Sequence, residues 1–212
     1  MSRLTFVAAV AVLGAPSSAV RADALGGLDG RSVDPDTLPT VSAELSWVAD
    51  NDVSVAGLRV NYKLDAAWMG FATVGRTEFD ESGAEGFIAG AGLYYHLARQ
   101  RLSPSVDLAL KPSVGYQGAE ADGVEIDGFV AALELVTSGR RAHPVSWYVN
   151  LGIEYAYIDT NNSGNDGDLD GLLGAGAFAR VGPGQIYTGF DYSGEFGVGA
   201  GYRLFFGGAP GP

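Results

Sequence analysis

The chain has 212 residues, which is enough for one domain, with 32 glycines, 10 tyrosines, 10 phenylalanines, no cysteine and a net charge of −12. The acidic balance argues against nucleic-acid binding, which needs clustered positive charge. No apolar run reaches the roughly 18 residues of a membrane-spanning helix. Short aromatic and glycine-rich segments between polar turns instead favour an all-β chain.

The first 24 residues have the pattern of a secretory signal peptide. Arg3 supplies a positive start, residues 4–14 form a short apolar run, and Ala22-Asp23-Ala24 offers a cleavage site. A second cleavage site is present at residues 17–19. The sequence therefore predicts an exported protein. Residues 25–39, with three glycines and two prolines, are predicted to form a periplasmic lead-in, and residues 207–212 a flexible tail.

Residues 40–206 between these termini carry a hydrophobic period of two, which is typical of half-buried β-strands. Ten such segments are approximately 40–48, 53–64, 67–79, 86–97, 105–117, 126–137, 145–158, 171–181, 185–192 and 195–206. Most match the roughly 9–11 tilted residues of a membrane-spanning strand. The predicted fold is an antiparallel up-and-down transmembrane β-barrel of ten strands, or of eight if the first two segments pack differently.

Two features favour an apolar face turned toward lipid. The opposite face is rich in glycine, which fits the crowded interior of a narrow barrel. Aromatic residues also lie near the strand ends of the apolar face, as in the girdles at the two membrane interfaces. The candidate interface aromatics are Trp47, Tyr62, Tyr95, Tyr116, Trp147, Tyr157, Tyr192, Tyr202 and Phe206. The phase of the third segment stays open, because Trp68 and Met69 are consecutive.

The segment FGVGAGYRLFF, residues 196–206, resembles the C-terminal assembly signal of bacterial outer-membrane β-barrels, which ends in Phe after alternating apolar residues. Six residues follow Phe206, whereas this signal is usually terminal. The resemblance is to the broad porin-like class of small barrels in the Gram-negative cell envelope. It implies an outer-membrane location and two partners, namely membrane lipid and the barrel assembly machinery, the latter reached through the C-terminal strand.

If the last strand ends in the periplasm, both termini are periplasmic and the connections alternate between the two sides. The longest connection, 159–170, then falls outside, as expected for this class. The external connections are acidic, with Asp50, Asp52, Asp80, Glu81, Glu85, Glu120, Asp122, Glu125, Asp159, Asp166, Asp168 and Asp170. The periplasmic connections carry Arg99, Arg101, Arg140, Arg141 and His143. This segregation of charge supports a two-sided molecule.

Charged residues of both signs are predicted to face the lumen. They are Glu44, Arg59, Lys63, Arg76, Asp107, Lys111, Glu134, Glu154, Arg180, Asp191 and Arg203. Similar numbers of each sign indicate ion pairs across a plugged interior, since a lone buried ion costs several kcal/mol. A charged narrow pore is the alternative, and an excess of one sign would favour it. Ten strands lie near the filled end of the barrel series.

The connection 159–170 also shows the oxygen spacing of a calcium-binding loop. Asp159, Asn161, Ser163 and Asp170 stand at relative positions 1, 3, 5 and 12, with Gly164 at position 6. A solvated hairpin is the alternative, because no helices flank the loop. No other cofactor is indicated.

Catalysis is not expected. The two histidines, His96 and His143, lie toward the periplasmic side, away from the outer-leaflet side where barrel enzymes of known kinds carry histidine beside Ser or Asp. The sequence thus predicts a non-enzymatic, structural or surface-interaction barrel that acts through acidic external loops. A narrow pore for small solutes is the second candidate function.

Overall fold

The computed structural model describes residues 40–50, 53–79, 85–97, 106–121, 124–139, 145–160 and 164–206. The signal peptide, lead-in and tail predicted above lie outside the described residues. Ten strands follow in chain order. They are β1 (Val41–Ala49), β2 (Val53–Lys63), β3 (Trp68–Phe79), β4 (Glu85–His96), β5 (Val106–Ala121), β6 (Val124–Gly139), β7 (Val145–Thr160), β8 (Gly164–Val181), β9 (Gly184–Ser193) and β10 (Glu195–Phe206).

Each strand pairs antiparallel with its neighbours in the chain, and β1 pairs with β10 to close the sheet into a barrel. The seam register runs from Val41 opposite Phe206 to Ala49 opposite Val198. The first two segments are therefore full members of the sheet. This confirms the prediction of ten strands over the alternative of eight.

We call the rim where β1 begins and β10 ends the terminus end, and the opposite rim the hairpin end. The four middle strands, β5 to β8, are longer at the hairpin end than the sequence pattern indicates. Much of the predicted connection 159–170, and of residues 118–125 between the fifth and sixth predicted segments, is paired strand, with Ala121 opposite Val124 and Thr160 opposite Gly164. The alternation of apolar residues stops before these strands end, whereas backbone pairing continues past it, so hydrophobic periodicity underestimates the length of these strands.

The strands alternate between an exposed apolar outer face and a buried inner face. Leu151, Ile153 and Tyr155 of β7 point outward and are exposed, whereas Asn150, Glu154 and Ala156 are buried in the lumen. The described residues contain no helix long and apolar enough to cross a bilayer.

Large aromatic rings fill the lumen, and glycines on facing strands make room for them. Tyr148 is fully buried beside Phe178 and Tyr187. A Cβ atom added at Gly176 or at Gly189 would collide with the Tyr148 hydroxyl, and one added at Gly201 would collide with the ring of Tyr187. The inward glycines are therefore sites of close approach, which explains their number despite the cost of glycine in strands.

Candidate functional site

The lumen contains a row of three charged side chains across the seam of the barrel. Glu44 of β1 stands opposite Arg203 of β10 and opposite Arg59 of β2. Arg203 donates to Glu44 Oε2 from Nε at 2.9 Å and from Nη2 at 2.7 Å. Arg59 Nε lies 3.3 Å from the other carboxylate oxygen. One carboxylate thus binds two guanidinium groups, which the strand register places on either side of it.

Amide side chains extend this row. Asn61 donates to Glu44 Oε1 at 3.2 Å and to the hydroxyl of Ser42 at 3.2 Å. Arg203 Nη1 donates to Gln185 Oε1 at 3.2 Å. These polar groups supply further hydrogen bonds within the lumen, which a buried ion pair requires if it is to be tolerated.

A second ion pair lies on the other side of the barrel. Lys111 of β5 is opposite Glu134 of β6, and its Nζ donates to Glu134 Oε1 at 2.6 Å. Asn150 of β7 donates to Glu134 Oε2 at 2.6 Å. All three side chains are buried. Both oxygens of Glu134 therefore accept a short hydrogen bond.

Phe71 lies between the two charged groups. The Arg59 guanidinium is 3.7 Å from the centroid of the Phe71 ring, and Lys111 Nζ is 5.9 Å from it. Arg59 also donates to the hydroxyl of Tyr94 at 2.8 Å. A continuous set of ionic, hydrogen-bonding and cation–π contacts thus crosses the lumen from Gln185 to Asn150. We call this set the lumen network.

Buried acids outnumber buried bases in the described lumen. The acids are Glu44, Asp107, Glu134, Glu154 and Asp191, and the bases are Arg59, Lys111 and Arg203. Two of the acids, Glu154 and Asp191, lie toward the hairpin end, where Ser193 donates to Glu154 at 2.9 Å. The lumen is therefore ion-paired through its centre and acidic toward the hairpin end.

Eight of the eleven predicted lumen charges are buried in the lumen, and the other three are not. Lys63 and Arg180 occupy inward positions of their strands at the terminus end, where Lys63 is half-buried and Arg180 is exposed. Arg76 was predicted to point inward, and this is wrong. It lies on the outer face and pairs with Glu85, also on the outer face. In β3 the odd positions, from Met69 to Thr77, face the lumen, which settles the phase that the sequence left open.

Several residues of the lumen network are absent from the prediction, which considered only ionisable side chains. They are Asn61, Phe71, Tyr94, Asn150 and Gln185. The amides were detectable, since a polar residue at an inward position of a strand must find a hydrogen bond. Phe71 was not, because the phase of β3 was open. His96 is buried in the lumen toward the terminus end, whereas His143 lies outside the described residues.

The predicted interface aromatics all point outward and form two groups. Trp47, Tyr116, Tyr157 and Tyr192 lie toward the hairpin end, and Tyr62, Tyr95, Trp147, Tyr202 and Phe206 lie toward the terminus end. The tilted rings of Trp68 and Tyr95 have centroids 4.6 Å apart, and those of Phe87 and Tyr116 have centroids 5.6 Å apart. Between the groups the outer wall exposes aliphatic residues such as Leu45, Leu58 and Leu151.

Glutamates are aligned across neighbouring strands on the outer wall at the hairpin end. Glu78 is opposite Glu85, and Glu85 is opposite Glu120. The register continues from Glu120 to Glu125. Arg76 pairs with Glu85, and Tyr116 hydrogen-bonds Asp127 beside this row. Like charges directly opposite each other destabilise a sheet, so this row concentrates negative charge at the hairpin end at some cost in stability.

The hairpin geometry separates the ends of the predicted calcium loop. Asp159 is opposite Asn165, whereas Asp170 is opposite Glu154, five positions further along the ladder. That separation is about 17 Å at the usual rise per strand residue. Asp159 and Asp170 therefore do not converge as the first and last ligands of a calcium loop do. Asn161 and Ser163 lie outside the described residues.

No family model and no curated protein matches this sequence. Solved structures do match. The translocator domain of the autotransporter NalP from Neisseria meningitidis is 14% identical, with a TM-score of 0.54, over 97% of this chain and 100% of that one. A loop-deletion mutant of OmpT, an outer membrane protein of Vibrio cholerae, is 13% identical with a TM-score of 0.35. This chain covers 62% of its length and is itself matched over 77%. The KdgM porin is 9% identical with a TM-score of 0.41, over 78% of this chain and 99% of that one. The match to the NalP translocator domain and the closed ten-stranded sheet show that the chain has the fold of outer-membrane β-barrels.

Proposed function

We propose that this protein is an integral outer-membrane barrel with a closed interior, which acts through the acidic surface of its hairpin end. The membrane location is supported by the outer wall. Exposed aliphatic side chains encircle the barrel between two groups of aromatic residues, as in transmembrane barrels. A soluble barrel would expose such a large apolar surface to water at a high cost in free energy.

The lumen network is the observation that carries the closed interior. Its charged side chains are almost fully buried and are held by partners on both sides of the lumen. An ion moving through the barrel would have to break contacts that stabilise buried charges. The interior therefore stabilises the barrel, and other molecules would bind at its rim.

The hairpin end is the surface that we propose for interaction. It carries the glutamate row on its outer wall, and Asp168 lies exposed on β8. We place this end outside the cell and both termini in the periplasm. Acidic side chains there would attract cations and cationic molecules, with an ionic-strength dependence typical of exposed charge. No catalytic role is proposed.

Passage of small cations through a narrow pore is the second candidate. The observation that favours it is the excess of buried acids over buried bases, five against three, with Glu154 and Asp191 toward the hairpin end. An acidic mouth would concentrate cations and repel anions. The lumen network would then be a constriction instead of a plug.

Single-channel recording in planar bilayers separates the two candidates. The closed barrel is expected to give no current steps with the wild-type protein in potassium chloride. Regular current steps would overturn the closed interior. In a potassium chloride gradient, a reversal potential shifted toward the equilibrium potential of potassium would support the acidic pore. Binding of a cationic peptide to the hairpin end is a further test of the acidic surface. The affinity of the peptide is expected to fall as the salt concentration is raised.

We also propose that β10 presents the assembly signal. Phe206 is its last residue, is exposed on the outer face, and lies opposite Val41 at the seam. A strand that closes the barrel last offers its edge and this aromatic residue to the assembly machinery before closure. Phe206→Ala is expected to lower the amount of protein in the membrane of living cells while leaving refolding of purified protein unchanged. Equal amounts of the wild type and of the Phe206→Ala variant in the membrane would contradict this role.

A further inference from the structure

Asn150 of β7 has a buried side-chain oxygen that accepts no hydrogen bond within the described part of the chain. Its side-chain nitrogen donates to Glu134 Oε2 at 2.6 Å. Because Glu134 is ion-paired with Lys111 and its carboxylate can only accept, the amide nitrogen must face Glu134 and the oxygen must face away from it. Asn150 is only 2% exposed. A buried acceptor of this kind costs free energy unless a donor or a cation reaches it.

A glycine leaves space for this oxygen on the neighbouring strand. The register places Asn150 opposite Gly174 of β8, and Gly174 opposite Asp191 of β9. A Cβ atom added at Gly174 would collide with Asn150 Oδ1 more closely than with any other atom of the amide. The oxygen therefore lies over the glycine, on the side where the carboxylate of Asp191 follows in the same row.

Two buried carboxylates lie on this side of the lumen. Asp191 and Ser193 occupy successive inward positions of β9. Ser193 donates to Glu154 Oε1 at 2.9 Å, so the Glu154 side chain reaches across β8 toward β9. The buried bases of the described lumen are held by Glu44 and Glu134. The space over the glycine thus lies in the acidic part of the lumen, where a positive charge would be stabilised.

We infer that calcium binds in the lumen between the side-chain oxygen of Asn150 and the carboxylates of Asp191 and Glu154. Calcium takes amide oxygens, carboxylates and waters as ligands and tolerates irregular geometry. Two carboxylates would balance its charge, and Asn150 Oδ1 would gain a partner. In the described residues no three His, Asp or Glu side chains form a metal cluster, so waters would supply the remaining ligands. The site is separate from the predicted calcium loop, whose first and last ligands do not converge.

Acidic residues also lie between the rim and this site. Asp168 and Asp170 occupy successive inward positions of β8, the first exposed and the second half-buried. Asp170 lies opposite Glu154. Their negative potential would raise the local concentration of cations at the hairpin end. Because Asn150 belongs to the lumen network, a bound ion would extend that network to Asp191. It need not cross the network, so the inference holds for a closed barrel and for a pore.

The test uses the full-length protein refolded in detergent, with terbium as a luminescent substitute for calcium that nearby tyrosine sensitises. Tyr148 is a suitable sensitiser. A Cβ atom added at Gly176 or at Gly189 would collide with its hydroxyl, and these glycines are the next inward positions after Gly174 and Asp191. Terbium luminescence excited through tyrosine is expected with the wild type. Calcium should displace terbium, and magnesium should do so far less, because magnesium demands octahedral geometry and retains its waters.

Asp191→Asn removes one charged ligand and keeps the shape of the side chain. It is expected to weaken calcium and terbium binding by about tenfold or more. Asp65→Asn is the matched control, since Asp65 is an exposed aspartate at the terminus end, and it is expected to bind as the wild type does. Luminescence that Asp191→Asn leaves intact would show that terbium binds exposed acids, and it would overturn the site. Absence of luminescence from the wild type would overturn it as well.

A second pair of variants tests the space over the glycine. Gly174→Ala would place a methyl group against Asn150 Oδ1 while keeping every proposed ligand, and it is expected to abolish binding. Gly171→Ala on the same strand adds a methyl group that meets nothing within 4 Å, and it should bind as the wild type does. Equal binding by these two variants would overturn the site.

Thermal unfolding keeps the inference testable if Gly174→Ala does not fold. Calcium is expected to raise the unfolding midpoint of the wild type, since a ligand that binds only the folded state stabilises it. Asp191→Asn should lose this rise. In a chelator its midpoint should be no lower than that of the wild type, because the substitution removes a buried charge in an acidic part of the lumen. An equal rise in both proteins, or the same rise with sodium chloride at equal ionic strength, would overturn the site.

Discussion

Glu44 and Arg203 are 159 positions apart in the sequence and form a two-pronged ion pair in the lumen. Their contact follows from closure of the barrel, because β1 and β10 place them directly opposite each other. Arg59 approaches the same carboxylate from β2. The pair therefore joins the first and last strands at the seam, and Glu44 compensates two buried positive charges at once.

The first prediction concerns this shared carboxylate. Glu44→Ala is expected to lower the free energy of unfolding by about 3–5 kcal/mol, because two guanidinium groups would remain buried without their partner. Urea titration of the refolded protein in lipid vesicles measures it. Glu85→Ala is the control, since it removes an exposed ion pair with Arg76, which contributes about 0–1 kcal/mol, and also relieves repulsion from Glu78 and Glu120, so little net loss is expected. Similar losses for both variants would contradict the structural role of the lumen network.

The second prediction tests which part of the outer wall meets lipid. Leu151 and Leu169 are both outward-facing leucines, 60% and 64% exposed. Leu151 lies in the middle of the aliphatic belt, whereas Leu169, opposite Tyr155, lies at the edge of the belt beside the hairpin-end aromatic residue Tyr157. Leu151→Arg is expected to cost about 2–4 kcal/mol, as arginine does at the bilayer midplane, and Leu169→Arg about 0–1 kcal/mol. Folding titrations in vesicles give both values. Equal costs would show that the belt does not lie in the membrane.

The sequence predicted the barrel well, because an alternation of period two needs no long-range information. It placed Glu44, Arg59, Lys111 and Glu134 in the lumen for the same reason. Arg76 was misplaced because Trp68 and Met69 give β3 two apolar phases, and only pairing with its neighbours decides between them. The sequence also could not predict the partners in each ion pair, because these depend on the register between strands.

The length of β5 to β8 was not predictable from hydrophobicity either. Residues beyond the belt need no apolar face, so the ladder continues through polar residues such as Asp159 and Asn165. Because the strands continue in this way, Asp159 and Asp170, the two ends of the predicted calcium loop, lie in the paired strands β7 and β8. The longer pairing of β8 with β7 than with β9 could not be predicted, because it arises from a difference in length between two neighbouring hairpins.

The third prediction concerns the glutamate row. Glu120 of β5 lies opposite Glu85 of β4 and opposite Glu125 of β6. Glu120→Lys is expected to raise the free energy of unfolding by about 0.2–1 kcal/mol, the range for a favourable cross-strand pair. Glu120→Gln removes repulsion without adding attraction and is expected to gain less. Both gains should shrink as salt is raised, because exposed charges are screened. Destabilisation by Glu120→Lys at low salt would show that the row is not repulsive.

The fourth prediction compares an inward glycine with an outward one on the same strand. Gly176 faces Tyr148, and a Cβ atom there would collide with the tyrosine hydroxyl and with the carbonyl oxygen of Thr188. Since a backbone atom is involved, rotation of Tyr148 alone cannot relieve the clash. Gly176→Ala is therefore expected to cost about 1–3 kcal/mol, the usual range for overpacking.

Gly171→Ala serves as its control, because the added methyl group there meets nothing within 4 Å. It is expected to leave stability unchanged or to raise it slightly, since alanine restricts the unfolded chain more than glycine does. Thermal or urea unfolding of both variants in the same vesicles makes the comparison. If Gly176→Ala were as stable as Gly171→Ala, the lumen beside Tyr148 would have spare room. That result would remove the steric reason for inward glycines and weaken the closed interior that we propose.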